Sequence, residues 1–570
     1  MPRGRVGAFA LTLICSTPLA AQPYPDVVSE SRYVAVRDGT RMAISIYRPA
    51  AGPNAIDARL PVVFVFTPYR GRYRAADGKI VEAALGDNLG LRSLLRAGYV
   101  VAVADVRGKG ASFGRRRGFQ DRTEAQDGYD LVEWLADQAF ADGKVGMVGC
   151  SYLGGSAFQV ATTAPPSLKA AFIGASDLDK YAFVRNGGIT AQFNTRPDEE
   201  PAVDLATVPM DEDADGSMLR AAVAEHAANT PMGPLWYGMP YRDSMSSFTG
   251  TRFWEEVGPY TYLDTVRSAG IATYFWGNWG DEPTSQIILS AANLDSRMLA
   301  GPGGHCAPPP GFDLAGEIVG FFDHYLKGKN PGYDSLPRAT YWIEGLNGSG
   351  GYVTSDQLPG VRSRRMPWFL AAGAGQGRSG GLKLANATAE AGLSFTVDYD
   401  LPPADYFAFW PQPMDSHGVS FTSDVLSEPM TLIGYPVAEL TAAADNPLAD
   451  VFVYLDRIKA DGSSEVIAFG RLKLSHHKLA QAPYETLGLP WHSGLQADVA
   501  APAPGEFVPL SIALTPVSLV VTPGDRLRFV ITGADPRQRN LQEIRLDPAP
   551  NITVRLGGGT ASRIDLPLAH

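Results

Sequence analysis

One hexapeptide, Gly149-Cys150-Ser151-Tyr152-Leu153-Gly154, constrains this chain more than any other segment. An apolar strand-like run, Lys144-Val145-Gly146-Met147-Val148, leads into it, and a small-residue stretch, Gly155-Ser156-Ala157-Phe158-Gln159-Val160-Ala161, reads as a helix after it. Strand, sharp turn carrying a serine, then helix is the setting of a nucleophile elbow. The turn leaves no room for a bulky side chain at Gly149, and Gly154 lets the helix pack close to the strand. Ser151 then sits at a helix N-terminus, where partial positive charge favours a developing oxyanion. The second glycine comes one residue later than in G-x-S-x-G. The competing reading is a serine in an ordinary βα loop.

A serine nucleophile needs a base, and the base needs an orienting acid. On an α/β sheet with this elbow the chain order is Ser, then Asp or Glu, then His. Of the eight histidines, His305 follows a strand candidate directly, in Gly301-Pro302-Gly303-Gly304-His305-Cys306. His324 falls inside the next helix and reads as a packing or surface residue, and His226 precedes the expected acid and lies in the insertion at 178–255. Asp281 follows Trp276-Gly277-Asn278-Trp279-Gly280, just past a strand at 272–276. Glu282 is adjacent and has the same chemistry, and either acid would also suit the N-cap of the following helix. For the oxyanion, the Tyr152 backbone N–H is one expected donor. The second belongs to the loop Thr67-Pro68-Tyr69-Arg70, where the Tyr69 phenol could stand in for a backbone amide.

The elements around the elbow indicate an α/β class. Two alternating runs around Asp38-Gly39 read as a hairpin. Continuous apolar runs at 61–66 and 99–104 read as strands buried on both faces. Helical stretches fall at 88–97 and 123–138, the second with Tyr129, Val132, Leu135 and Ala136 near helical spacing. Strands alternating with helices predict a parallel sheet covered on both faces. The pattern breaks between about 178 and 255, which reads as an irregular cap with one short helix near 219–228. Its acidic runs, Asp198-Glu199-Glu200 and Asp211-Glu212-Asp213-Ala214-Asp215, read as solvated loop, with attraction of cationic substrates as the functional rival. The sheet resumes at 272–276 and 297–300, followed by a helix at 313–327. From about 336 to the end, short alternating strands recur at 339–343, 451–455, 518–521 and 527–531, split by turns such as Pro523-Gly524-Asp525. That reads as a β-sandwich or jelly roll. The expected organisation is therefore a signal peptide at 1–21, an α/β catalytic domain at 22–177 and 256–335, a helical cap at 178–255, and a jelly-roll domain at 336–570.

The N-terminus carries Arg3 and Arg5, an apolar run from Ala8 to Ile14, and small residues up to Ala21, a secretory signal pattern. That run is too short to span a bilayer, and no membrane anchor is expected. Export to a periplasmic or extracellular location follows. Cys150 and Cys306 are the cysteines left after cleavage, too few for a disulfide framework or a zinc cluster. They adjoin Ser151 and His305. A disulfide is open to them in an oxidising compartment, but two buried small hydrophobes is the preferred reading. The net charge of −11 over 570 residues, with no basic stretch, argues against nucleic acid as a partner.

Several segments together resemble the CocE/NonD hydrolases, the cocaine esterase and α-amino-acid ester hydrolase group related to X-prolyl dipeptidyl aminopeptidases. These are Arg37-Asp38-Gly39-Thr40-Arg41, Ile46-Tyr47-Arg48-Pro49, Thr67-Pro68-Tyr69, Asp105 to Gly114, Asp127-Gly128-Tyr129-Asp130 with Glu133-Trp134, the elbow, Gly277 to Asp281, Gly301-Pro302 with His305, and Pro523 to Arg528. The resemblance covers nearly the whole mature chain. It implies an α/β-hydrolase core, a helical cap and a C-terminal jelly roll, with no metal and no cofactor. It further implies Ser151 as nucleophile, His305 as base, Asp281 as orienting acid, and Tyr69 O–H with Tyr152 N–H as oxyanion donors. The expected substrate is a small-molecule ester or amide. Asp281 is followed by Glu282-Pro283-Thr284, so the acidic pair that amino-ester hydrolases carry two and three residues on is absent, and a carboxylic-ester hydrolase is favoured. The alternatives are an X-prolyl dipeptidyl peptidase, an α-amino-acid ester hydrolase or β-lactam acylase, and, from another class, a non-catalytic binding protein on the same scaffold. Jelly-roll edges often serve as contacts, which leaves a homo-oligomer open.

Overall fold

The apolar runs become strands whose alternate residues face two different cores. A computed structural model describes residues 24–86, 89–190, 200–361, 363–373, 377–405, 408–538 and 541–569. The signal-like residues 1–21, Asn88, Asp198 and Glu199 lie outside the described residues. β1 (Asp26–Ala35) and β2 (Arg41–Ala50) form the expected hairpin, with Gly39 left-handed in its turn. β3 (Leu60–Thr67) follows, then a small ribbon of β4 (Arg72–Arg74) and β5 (Ile80–Glu82), then β6 (Val100–Asp105), β7 (Ala141–Cys150), β8 (Leu168–Gly174), β9 (Ala272–Asn278), β10 (Arg297–Gly301), β11 (Ala339–Glu344) and β12 (Gly350–Ser355). Across the sheet the order is β1-β2-β6-β3-β7-β8-β9-β10-β11-β12, parallel from β6 to β11. The strand at 339–343, read from sequence as the start of the β-sandwich, instead pairs in parallel with β10 and lengthens the α/β sheet past residue 335. Its alternating apolar pattern fits an edge region with one wet face and does not reveal which sheet it joins.

Helices α1 (Leu91–Arg96), α2 (Arg122–Ala136) and α3 (Tyr152–Ala161) precede the cap, which contributes α4 (Lys180–Val184), α5 (Ser217–His226), α6 (Met232–Tyr237) and α7 (Phe253–Val257); α8 (Leu263–Ala269), α9 (Thr284–Asn293) and α10 (Leu314–Tyr325) complete the layers. Val62, Phe64 and Phe66 of β3 pack with α2, α3 and α9 on one face. Val63 and Val65 pack with α1 and α10 on the other. Each such fully buried side chain contributes about 1.5–3 kcal/mol of transfer free energy. This is the α/β-hydrolase arrangement. On α2 the buried stripe is Glu124, Ala125, Asp127, Gly128, Leu131, Val132 and Leu135, whereas Tyr129 is half-exposed under the Arg37 guanidinium. The expectation that Tyr129 belongs to the apolar face is thus corrected.

The cap is more helical than its sequence indicates, because α4, α6 and α7 are too short to display a helical period. Aromatic packing holds them, with Trp236 stacked on Trp254 at 5.4 Å between centroids and Phe253 against both. The acidic run at 211–215 is an exposed turn, as the sequence indicates, with Asp213 alone buried, and its carboxylates also serve as acceptors. Asp211 and Glu212 accept the Ser31 and Tyr33 amides of β1, both at 2.7 Å, and Asp213 caps α5 through the Met218 and Leu219 amides.

Beyond β12 the chain is nearly all β, wrapped around a separate core that includes Phe421, Tyr454, Phe469 and Phe529. Strand Asp450–Ile458 pairs antiparallel with Ser464–Lys473 through the Asp461-Gly462 turn, and on its other side with Arg526–Thr532. The Pro523-Gly524-Asp525 turn joins Val517–Val521 to Arg526–Thr532, which pair with different neighbours, so it carries the chain between layers rather than closing a hairpin. Among the described residues no helix is long and apolar enough to cross a membrane.

Candidate active site

Gly149 and Gly154 shape the elbow. A methyl at Gly149 would run into the Leu153 backbone, and one at Gly154 into the Gly174 carbonyl of β8. Between them Ser151 takes φ 60° and ψ −128°, a backbone region that L-residues rarely adopt. The strain turns the side chain out at the head of α3, where Ser151 lines a cavity of about 900 Å³. The first N–H groups of a helix lack intrahelical acceptors, and the Tyr152 N–H at position 152 is one of these.

His305 and Asp281 border the same cavity. His305 Nδ1 lies 2.9 Å from Asp281 Oδ2, and Asp281 is 2% exposed. Burial opposes a charge on the ring, but the hydrogen bond and charge of Asp281 outweigh it, and the His305 pKa lies above the ordinary imidazole value. Among the described residues, Ser151 Oγ and His305 Nε2 have no hydrogen-bond partner. Contacts of this kind are commonly long before substrate binds. Of the rival residues, His324 pairs with Asp334 on the surface of α10. His226 is buried between Asp204 (3.0 Å) and the Ser112 carbonyl (2.8 Å), so both its nitrogens are engaged. Glu282 turns away from His305 and meets Arg471 of the β region at 2.8 Å.

Tyr69 is 45% exposed at the cavity wall, its ring edge-on to Tyr152 at 6.2 Å. The distinctive Asp105–Gly114 string supports its loop. The buried Asp105 carboxylate accepts the Gly71 amide at 2.7 Å and the Ala111 amide at 3.0 Å. A methyl at Gly110 would strike Asp105, Ser112 Oγ donates to the Asp105 carbonyl, and Arg107 bridges Asp127 of α2 and Asp38 of the hairpin turn. The string is a structural clamp behind the loop that carries Tyr69.

Three parts of the site escape sequence reasoning. Glu124 accepts the Tyr152 hydroxyl at 2.6 Å, and Arg116 donates to the same oxygen at 2.9 Å. Gln120 donates to the Tyr152 carbonyl at 2.8 Å and accepts from the buried Lys180, which also pairs with Asp177 at 2.7 Å. Glu124 and Asp127 fall on the inward stripe of α2, and carboxylates on an apolar face were the available signal. Phe409, from the β region, stands 4.9 Å from the His305 ring, and nothing local in sequence marks it. Finally, Cys150 and Cys306 form a disulfide, which corrects the expectation of two reduced thiols. The two lie 156 residues apart in sequence, and the fold joins them by bringing the neighbours of Ser151 and His305 together.

Comparison with known proteins follows the same division. A family profile described as X-Pro dipeptidyl-peptidase (S15 family) matches residues 38–307, and one described as the X-Pro dipeptidyl-peptidase C-terminal non-catalytic domain matches 331–541. A putative serine esterase of Mycobacterium bovis is 26% identical over 620 aligned positions, covering 94% of this chain and 95% of the relative. The cocaine esterase of a Rhodococcus species is 23% identical, covering 89% and 91%. A crystal structure of a CocE/NonD family hydrolase from Staphylococcus aureus superposes with a TM-score of 0.70 at 19% identity, covering 95% and 94%.

Proposed function

The chain belongs to the CocE/NonD hydrolases of the S15 family, and from that premise we propose that it is an exported carboxylic-ester hydrolase acting through Ser151, His305 and Asp281. The observation that carries this reading is the 2.9 Å His305–Asp281 pair on the same cavity as the strained Ser151. Asp281 accepts a hydrogen bond from the Nδ1–H, which holds the proton on Nδ1 and leaves Nε2 as the basic nitrogen. Nε2 takes the Ser151 proton as Oγ attacks the ester carbonyl. The oxyanion of the tetrahedral intermediate is met by the Tyr152 N–H and the Tyr69 O–H. His305 then protonates the departing alcohol, and a water activated by the same nitrogen releases the acid.

Ester specificity draws support from the charges around the cavity. An α-amino substrate needs a desolvated carboxylate free to meet its ammonium. Glu282 is held by Arg471, and Asp177, whose buried Oδ2 has no hydrogen-bond partner among the described residues, is paired through Oδ1 with the Lys180 ammonium, so each of these two carboxylates already faces a cation. Phe119, Phe183, Val184, Met232, Trp236 and Phe409 give the cavity an apolar wall suited to a bulky acyl or alkoxy group. Export is supported by the N-terminal signal pattern and by the disulfide, a bond that persists in oxidising compartments.

The second reading, an X-prolyl dipeptidyl peptidase, is favoured by the description of the matching family profile. A panel of aryl esters, an α-amino-acid ester and an Xaa-Pro anilide separates the two. The ester reading predicts turnover of the plain esters well above the others, and preferential cleavage of the anilide would replace it with the peptidase.

A further inference from the structure

The sheet topology keeps the two halves of the proposed machinery apart. Ser151 follows β7 and His305 follows β10, with β8 and β9 between them. Three strand spacings amount to roughly 14 Å, so the loop after β10 must fold back across the ends of β9 and β8 to bring an imidazole to the serine. The hydrogen bonds of that loop do not make this connection. Asn278 Nδ2 donates to the Gly304 and Ala307 carbonyls at 2.7 and 2.8 Å, the Gly280 amide to Gly303 at 3.0 Å, and the Trp279 amide to Gly301 at 2.9 Å. All of these, and the His305–Asp281 pair, tie the histidine to the segment that carries its acid. Among the described residues, no hydrogen bond joins 302–307 to 149–154. The disulfide does, from the residue before Ser151 to the residue after His305, with the two Cα atoms 5.9 Å apart. Cys306 is left-handed at φ 53°, and both Cys306 and Cys150 line the cavity.

We propose that the Cys150–Cys306 disulfide is the positioning element that sets the approach of His305 to Ser151, so that the oxidised chain is the competent enzyme and the dithiol form has a lowered kcat. The inference rests on the assignment of Ser151 and His305 as nucleophile and base. Both cysteines border the cavity and Cys306 is half-buried, which gives a small dithiol a route to the bond. A reductant thiolate attacks Cys306 Sγ, and Cys150 leaves as a thiolate that takes a proton from water. The second thiol of the reductant then attacks the mixed disulfide, freeing Cys306 and closing the oxidised reductant, a two-electron exchange. With the tether open, the His305–Asp281 pair stays intact, but the loop that carries it is free to shift against the elbow. A displacement of about 1 Å is enough to cost up to about 100-fold in rate.

The test compares four samples of the mature chain on one aryl ester: oxidised parent, dithiothreitol-treated parent, reoxidised parent, and the Cys150→Ala/Cys306→Ala variant. Thiols are titrated, and labelling of Ser151 by a fluorophosphonate is timed in each. The expected result is a kcat about 10- to 100-fold lower in the reduced parent and the variant, with KM little changed, labelling slowed in parallel, recovery on reoxidation, and indifference of the variant to reductant. If the variant fails to fold, the reversible loss in the folded, reduced parent carries the same information. A parent with two titrated thiols and full kcat overturns the tether. An oxidised parent that neither hydrolyses the ester nor takes up the probe overturns the assignment of Ser151 and His305 itself, and the tether with it.

Discussion

At the scale of single residues, the site divides its two adjacent acids by what faces them. Asp281 is buried against His305, while Glu282 points across to Arg471. Asp281→Asn should therefore lower kcat by about 10⁴-fold by fixing the wrong tautomer. It should also move the acid limb of the kcat/KM profile to lower pH. The sign follows from the base role: activity needs neutral His305, Asp281 raises the His305 pKa, and its loss lets the ring shed its proton at a lower pH. Glu282→Gln should leave that limb in place. Tyr69 allows a separate test, because its proposed contribution is one hydroxyl. Tyr69→Phe should lower kcat by about 10²–10³-fold with KM little affected, measured as initial rates on a soluble aryl ester. An unchanged kcat would remove the phenol from the oxyanion site.

At the scale of elements, the elbow depends on close approach of backbones. Gly154 sits where α3 touches the end of β8, and the Gly174 carbonyl occupies the space of a side chain. Gly154→Ala should destabilise the protein by about 2 kcal/mol or more, seen as a lowered denaturant midpoint. How far such elements were legible in sequence depended on their pattern. The strands at 61–66 and 99–104 announce themselves because burial on both faces demands unbroken apolar runs, and α2, α3 and α10 because each spans several turns. The gathering of Ser151, Asp281 and His305 at one cavity was readable because the elbow fixes the sheet and the sheet fixes where the later loops emerge. The short cap helices were not, since five or six residues complete too few turns to show a period. The Asp211–Asp213 segment was rightly read as loop, but its acceptor role was not legible, because it depends on amides of β1 and α5 that the fold brings near. Phe409 is a product of long-range folding with no local signal, whereas the disulfide had one, the adjacency of Cys150 and Cys306 to Ser151 and His305, which the preference for two buried thiols set aside.

At the scale of the whole molecule, the β region takes part in the site as well as packing beside it. Arg471 fixes Glu282, Tyr435 donates to the Ser285 carbonyl at the start of α9, and Phe409 reaches the His305 ring. Phe409→Ala should raise KM for a bulky aromatic acyl ester by about tenfold, the worth of one lost apolar contact, while an acetyl ester is less affected. Equal effects on both esters would mean that Phe409 supports the loop and does not touch the acyl group. The central claim is that Ser151 is the nucleophile of an ester hydrolase, and covalent trapping addresses it most directly. Mature protein would be treated with a fluorophosphonate, its intact mass recorded, and the modified peptide sequenced, with Ser151→Ala treated alongside. The account predicts one adduct per chain, located on Ser151, with loss of ester hydrolysis in proportion to labelling and neither adduct nor turnover in the variant. Ester hydrolysis that persists in Ser151→Ala, or an adduct on another residue that tracks the loss of activity, would contradict it.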